Sequence, residues 1–231
     1  MKKYTGIWSA GIIILCWSLH LIYWIQTPLN WNNPFLYLGI LIQTHLYTGL
    51  FISSHDAIHG VVSPEFPKLN HGIGRLCATL FAFNNYSLLR KKHHMHHAYV
   101  NTDQDPDVHQ GNFFIWWFKF MFQYVHWTQI LAMAITYNVL KIWFPMENII
   151  LIWELPAILA TLQLFYFGTY LPHRGEHEAN NIHQSRSQTK NHLWAFISCY
   201  NFGYHYEHHD KPFLPWWKLT EAKEQNSQIS I

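Results

Sequence analysis

The chain has 231 residues, enough for one domain, and only 12% of them are Asp, Glu, Lys or Arg against roughly 25% in an average soluble domain. Half the residues are hydrophobic, the formal net charge is +2 and no run of four like charges occurs, which excludes a disordered or collagen-like chain and gives no sign of a nucleic-acid partner. Aromatic residues reach 18%, and the 18 histidines outnumber the 15 lysines and arginines.

The mean hydropathy of −0.06 is held down by those histidines, tryptophans and tyrosines, so local runs decide whether a bilayer is the solvent. Residues 7–25 carry no formal charge over a length that suits a hydrocarbon core. Lys2 and Lys3 precede them, but the run exceeds a signal-peptide core and no A-x-A site follows, so a retained anchor is expected. A turn rich in Pro and Asn (26–34) leads to a second uncharged run at 35–53, and the two form a hairpin. Residues 71–86 are apolar but short and interrupted by Arg75, and 113–127 are crowded with aromatics, so both suit the interface.

A second hairpin is expected from 128–144 and 149–171, joined at 145–148, with Glu154 and Pro156 left for a neighbouring helix to accommodate. The 128–144 run is the weakest of the four. Neither far-side turn holds a Lys or Arg, so the positive-inside rule places both termini and the large loops in the cytoplasm. The expected fold is an all-α integral membrane protein of four transmembrane helices in two hairpins with a histidine-rich cytoplasmic cap. Cys16, Cys77 and Cys199 are too scattered for a disulfide framework or a zinc ribbon.

The histidines gather at that cytoplasmic side. HDAIHG sets His55 and His59 at i and i+4 on one helix face just past the second run. KKHHMHH offers His93, His96 and His97, HYEHH repeats the spacing as His205, His208 and His209, and YLPHR adds His173 at the end of the last run. Imidazole is a neutral nitrogen ligand for Fe, Zn, Cu or Ni. Nine such groups exceed the four of one zinc site and suit two metals. Asp103, Asp105 and Asp107 fit the orienting of histidines, or a turn around Pro106, better than direct ligation, and Asp56 and Glu207 invite the same reading. Asn201 and Thr169 could hold a water nearby. His45, about 15 Å down its helix from His55, is expected to be a hydrogen-bonded interior residue, as is His20.

These arrays resemble the membrane di-iron desaturase and hydroxylase superfamily. HDAIHG, DQDPD, FGTYLPHR and NFGYHYEHH followed by PWWKL further resemble the bacterial beta-carotene ketolases, over about residues 35–219. The resemblance implies one desaturase-like domain over 1–231 and two non-haem iron ions held by His55, His59, His93, His96, His97, His173, His205, His208 and His209. It also implies dioxygen as co-substrate and two electrons per oxidation from a ferredoxin or reductase. The C4 methylene of each beta-ionone ring of beta-carotene would become a ketone, giving echinenone and then canthaxanthin. A ring hydroxylase and an acyl-lipid desaturase are the alternatives within the superfamily, and a metal-binding or transport protein lies outside it. His93 fits the array spacing better than His94, and the roles of His177 and His183 stay open.

Overall fold

The computed structural model describes residues 4–109 and 111–229, and every regular element among them is helical. Three helices are long and apolar enough to cross a bilayer: α1 (Thr5–Gln26), α2 (Pro34–Ile58) and the helix Met146–His173, with mean hydropathies of 1.7, 1.5 and 1.8. Between the second and third lie α3 (Pro67–Leu80), α4 (Tyr86–Ala98), α5 (Phe113–Tyr124) and α6 (Trp127–Leu140). Met146–His173 is α7, followed by α8 (His192–Cys199), α9 (His205–Asp210) and α10 (Leu219–Ile229).

α1 turns Ala10, Ile13 and Trp17 inward and leaves Trp8, Ile12, Leu15, Leu19 and Ile22 exposed, the division expected of a helix with lipid on one side. α2 is the central post. Its 25 residues span about 37 Å, more than a hydrocarbon core of about 30 Å, a length that lets its last turn, with His55, reach beyond an apolar layer. Polar bonds knit it to its neighbours. His20 Nδ1 lies 2.5 Å from Gln43 Oε1, and Thr48 Oγ1 donates to Gln163 Oε1 at 2.5 Å. Gln163 Nε2 in turn donates to the Ser198 carbonyl at 2.6 Å. Such bonds can hold helices together where apolar contact alone offers no advantage over lipid.

α7 contains two π-helical turns, Ile150–Glu154 and Tyr166–Tyr170. Each ends two residues before a proline, Pro156 and Pro172. Proline lacks an N–H and its ring clashes with the carbonyl four residues back; a wider turn relieves both conflicts. Pro156 is thus absorbed within its own helix, where a neighbouring helix had been expected to help.

Of the four expected spans, three are long and apolar enough to cross a bilayer. α6 has 14 residues, about 21 Å of helix, and buries none of them. The near and far ends of the bundle are nevertheless fixed. Asn148 Nδ2 donates to the Trp24 and Thr27 carbonyls at 3.2 and 2.7 Å, setting the start of α7 beside the turn between α1 and α2. His55 and His173 stand at the opposite ends of α2 and α7.

Candidate metal centre

Four helices deliver histidines to one volume. α2 and the residue after it present His55 and His59. α4 starts at Asn85, whose side chain accepts from Leu88 N at 3.0 Å, and carries His93, His96 and His97 in its second half. α7 ends on His173 just past its second π turn. A sharp reversal after α8 puts Tyr200 and Asn201 at φ values of 49° and 61° and directs α9, with His205, His208 and His209, back into the cluster. Left-handed backbone is unusual outside glycine. The stacking of Tyr200 on His45, with centroids 4.4 Å apart, helps to hold the reversal in place.

Eight of the nine histidines separate into two groups of four: His55, His59, His93 and His208, and His96, His173, His205 and His209. Within each group one ring nitrogen from every residue lies within 4.8 Å of the others. Imidazoles on one ion at about 2.1 Å would sit at most about 4.2 Å apart, so small ring adjustments admit a cation. The Nε2 atoms of His59 and His93 approach to 2.7 Å, and those of His96 and His209 to 3.1 Å. The Nε2 of His173 is buried and without a partner. These inward-facing nitrogens fit a pair of metal ions. His97 belongs to neither group and stands between them, its ring 4.9 Å from those of His59 and His208 and 4.3 Å from that of His209.

The outer ring nitrogens show how the second group is oriented. His96 Nδ1 lies 2.9 Å from Asp105 Oδ1, and Asp105 also accepts from the backbone N–H groups of Asn101 and Asp107, each at 2.9 Å. His173 Nδ1 donates to the Gln184 carbonyl at 2.9 Å. Asp107 accepts from Tyr124 Oη, and its carbonyl receives Trp116 Nε1 at 2.7 Å. In the first group Asp56 stands 3.5 Å from His55 Nδ1 but spends its other oxygen on Trp216 N, at 3.1 Å.

Burial sets the charge of most of these rings, and His96 is the exception. Burial, and then the repulsion of neighbouring imidazoles, holds His93, His205, His208 and His209 well below the usual histidine range. His59 is lowered to about 4, by burial and His94. Neutral rings keep a lone pair free for a metal. Burial would also lower His96, but the Asp105 hydrogen bond and the charges of Asp107 and Asp105 outweigh it and raise the ring. Asp107 itself is pushed up to about 6, by burial above all.

A cavity of about 320 Å³ opens directly beneath both groups. His55, His93, His96 and His205 form one end, and its walls include Phe51, Phe81, Leu89, Phe120, Met133 and Leu164. It continues along α7 to Glu154, fifteen residues before Thr169, or about 22 Å of helix. Gly168 lines it at a point where a Cβ would come within 2.7 Å of the Phe202 ring, so only glycine allows that close packing.

The fatty acid desaturase family matches residues 29–140 and 114–229. The chain belongs to that family. Among curated proteins it is 34% identical over 230 residues to a beta-carotene ketolase of Paracoccus sp. (strain N81106 / MBIC 01143), covering 95% of this chain and 92% of that one. It is 33% identical to a beta-carotene ketolase of Haematococcus lacustris, over 94% of this chain and 78% of the relative. A zeaxanthin 4-ketolase of Chlamydomonas reinhardtii is 38% identical over 78% of this chain, which spans only 42% of that longer protein.

Several residues singled out in the sequence lie away from this desaturase-family centre. Glu207, expected to support a histidine, is buried but faces away from the cluster: it accepts from Ser187 Oγ at 2.5 Å and lies 3.3 Å from Lys223 Nζ. The neighbouring histidines occupy the inner face of α9, so the residue between them in sequence points elsewhere. Asp103 is exposed on the loop, while Asp105 and Asp107 are buried. Asn201 donates to the Trp216 carbonyl at 3.3 Å, tying down the reversal before α9. His94 is exposed, 6.4 Å ring to ring from His59. His177 lies 3.4 Å from the His173 carbonyl, and His183 lies 3.6 Å from Asp210 with its ring 6.1 Å from that of His209. His20 has its expected hydrogen bond, whereas both ring nitrogens of His45 are buried without one. Tyr124, Trp116 and the Gln184 carbonyl escaped the sequence reading, because nothing in their spacing ties them to the arrays.

Proposed function

We propose that this chain is a beta-carotene 4-ketolase, an oxygen-dependent membrane oxidoreductase that converts the C4 methylene of a beta-ionone ring to a ketone. The observation that carries this reading is the two-group histidine centre at the head of an apolar cavity, in a chain similar to beta-carotene ketolases over most of its length. His55, His59, His93 and His208 would hold one iron, His96, His173, His205 and His209 the other, and His97 stands where it can reach either. Bound there, two non-haem irons supply dioxygen activation and the oxidising capacity for C–H hydroxylation.

The chain's own work is positioning. Asp105 and the Gln184 carbonyl take the Nδ1 protons of His96 and His173, which leaves the inward Nε2 lone pairs of both rings free. Phe202 packs edge-on against His55 and His205 and at a tilt against His208, with centroids 4.7–5.2 Å away, and shapes the top of the cavity. Holding one methylene at near-attack distance selects C4 over its neighbours. Two hydroxylations at that carbon give a gem-diol, which loses water to the ketone. The reducing equivalents come from outside, from a ferredoxin or a reductase. Arg75, Arg90 and Lys91 gather around His71 and His94 on the histidine side, a surface suited to an acidic donor.

The bilayer surrounds the bundle with the histidines and both termini on the cytoplasmic side. α7 starts at the far end, beside Thr27, whereas α4 lies at the histidine end, so the intervening chain must return across the bundle. Trp127–Leu140 and the turn after it make that passage, with Ile130, Ile135 and Ile142 exposed to lipid. The test is expression in a bacterium that accumulates beta-carotene, followed by chromatography of its pigments. Echinenone and canthaxanthin are expected. Hydroxylated rings alone, or unchanged beta-carotene with iron-loaded protein in the membrane, would overturn the reading.

A further inference from the structure

The far end of the cavity is not apolar. Glu154, in the first π turn of α7, lines it and makes no hydrogen bond or ion pair among the described residues. An acid inside a membrane-spanning helix is costly, and such residues face a cavity or a partner that justifies them. Two further cavity-lining groups are in the same condition. The side-chain oxygens of Asn84 and Gln129 are buried and have no partner. The walls between these groups and the histidines are mostly apolar, with Phe, Leu, Ile and Met side chains and Thr161.

We propose that this polar end recognises an oxygen substituent on the ring of the carotenoid that is not being oxidised. The proposal rests on the ketolase reading. A rod-shaped substrate with one ring under the histidines sends its other end down the cavity, toward a carboxyl group about 22 Å away along α7. A bare hydrocarbon ring there leaves Glu154, Gln129 and Asn84 unpaired. A hydroxyl can donate to or accept from them, and a ketone can accept from either amide or from a protonated carboxyl group. The favoured substrates are therefore carotenoids already oxygenated at the opposite end, including the product of this enzyme's own first ring.

The experiment compares kcat/KM of purified, iron-loaded protein with one reductase system on two substrates, beta-carotene and a carotenoid hydroxylated on one ring only. The ring scored is always the unhydroxylated one. The wild type is expected to favour the hydroxylated substrate about tenfold, the effect of one hydrogen bond to a charged or buried partner. Glu154→Leu should bring the ratio of the two kcat/KM values near one, and Glu154→Gln, which still hydrogen-bonds, should keep most of the preference. Should Glu154→Leu not accumulate, Gln129→Leu is expected to lower the same ratio. A wild-type ratio of one, or a preference unchanged in the leucine variants, overturns the proposal, since structural damage would depress both substrates alike. Absence of any ketone from beta-carotene with wild-type protein marks instead the failure of the ketolase reading, and this proposal falls with it.

Discussion

The two histidine groups have the same number of ligands and very different supports. In the second group His96 is gripped by a buried aspartate that is itself fixed by two backbone N–H groups, and His173 is tied to a backbone carbonyl. In the first, both ring nitrogens of His55 lack a hydrogen bond, and Asp56 is engaged by the Trp216 backbone. Partners behind a ligand fix its tautomer and orientation and raise its basicity. Two of the four rings in the second group are therefore held from behind, whereas His55 in the first relies on packing.

The comparison can be broken outright by deleting a ligand from either side. His96→Ala and His208→Ala are each expected to abolish ketone formation while the protein still inserts in the membrane, as checked by pigment analysis and membrane fractionation. Near-normal activity in either variant removes that histidine from the centre. Supports should separate the groups more finely. Asp105→Asn is expected to weaken iron binding by about 10–100-fold, and Asp56→Asn by much less, in metal titrations followed by absorbance. Equal losses would remove the asymmetry. Chelator treatment of the loaded protein should release iron in two phases, the faster one retained in Asp105→Asn and the slower one accelerated. The smallest effect is expected outside both groups. Arg90→Glu should slow turnover several-fold with an acidic electron donor at low salt, with the deficit shrinking as salt rises.

Much of this fold was legible in the sequence because uncharged runs leave a strong trace. The runs at 7–25, 35–53 and 149–171 lie within Thr5–Gln26, Pro34–Ile58 and Met146–His173. The run at 128–144 was weaker, and the structure shows why: its helix ends at Leu140 after 14 residues and buries none of them. The histidines that assemble were equally visible, but their division was not. Successive residues on a helix diverge by about 100°, so an HxxHH array does not face a single metal. His93 joins the first group and His96 the second, and the adjacent His208 and His209 part in the same way. Glu207 was misjudged for the same geometric reason. Asp105 could be suspected from DQDPD, but its choice over Asp103 depends on a loop whose backbone bonds no periodicity announces.

The most direct test of the two-group centre is the metal content and spectroscopy of purified protein reconstituted under reducing conditions. Two iron ions per chain are expected, falling to one or none in His96→Ala and His208→Ala, with a spectroscopic signature of coupled irons in the wild type. A single tightly held ion, or a preference for zinc that leaves iron unbound, would contradict the account.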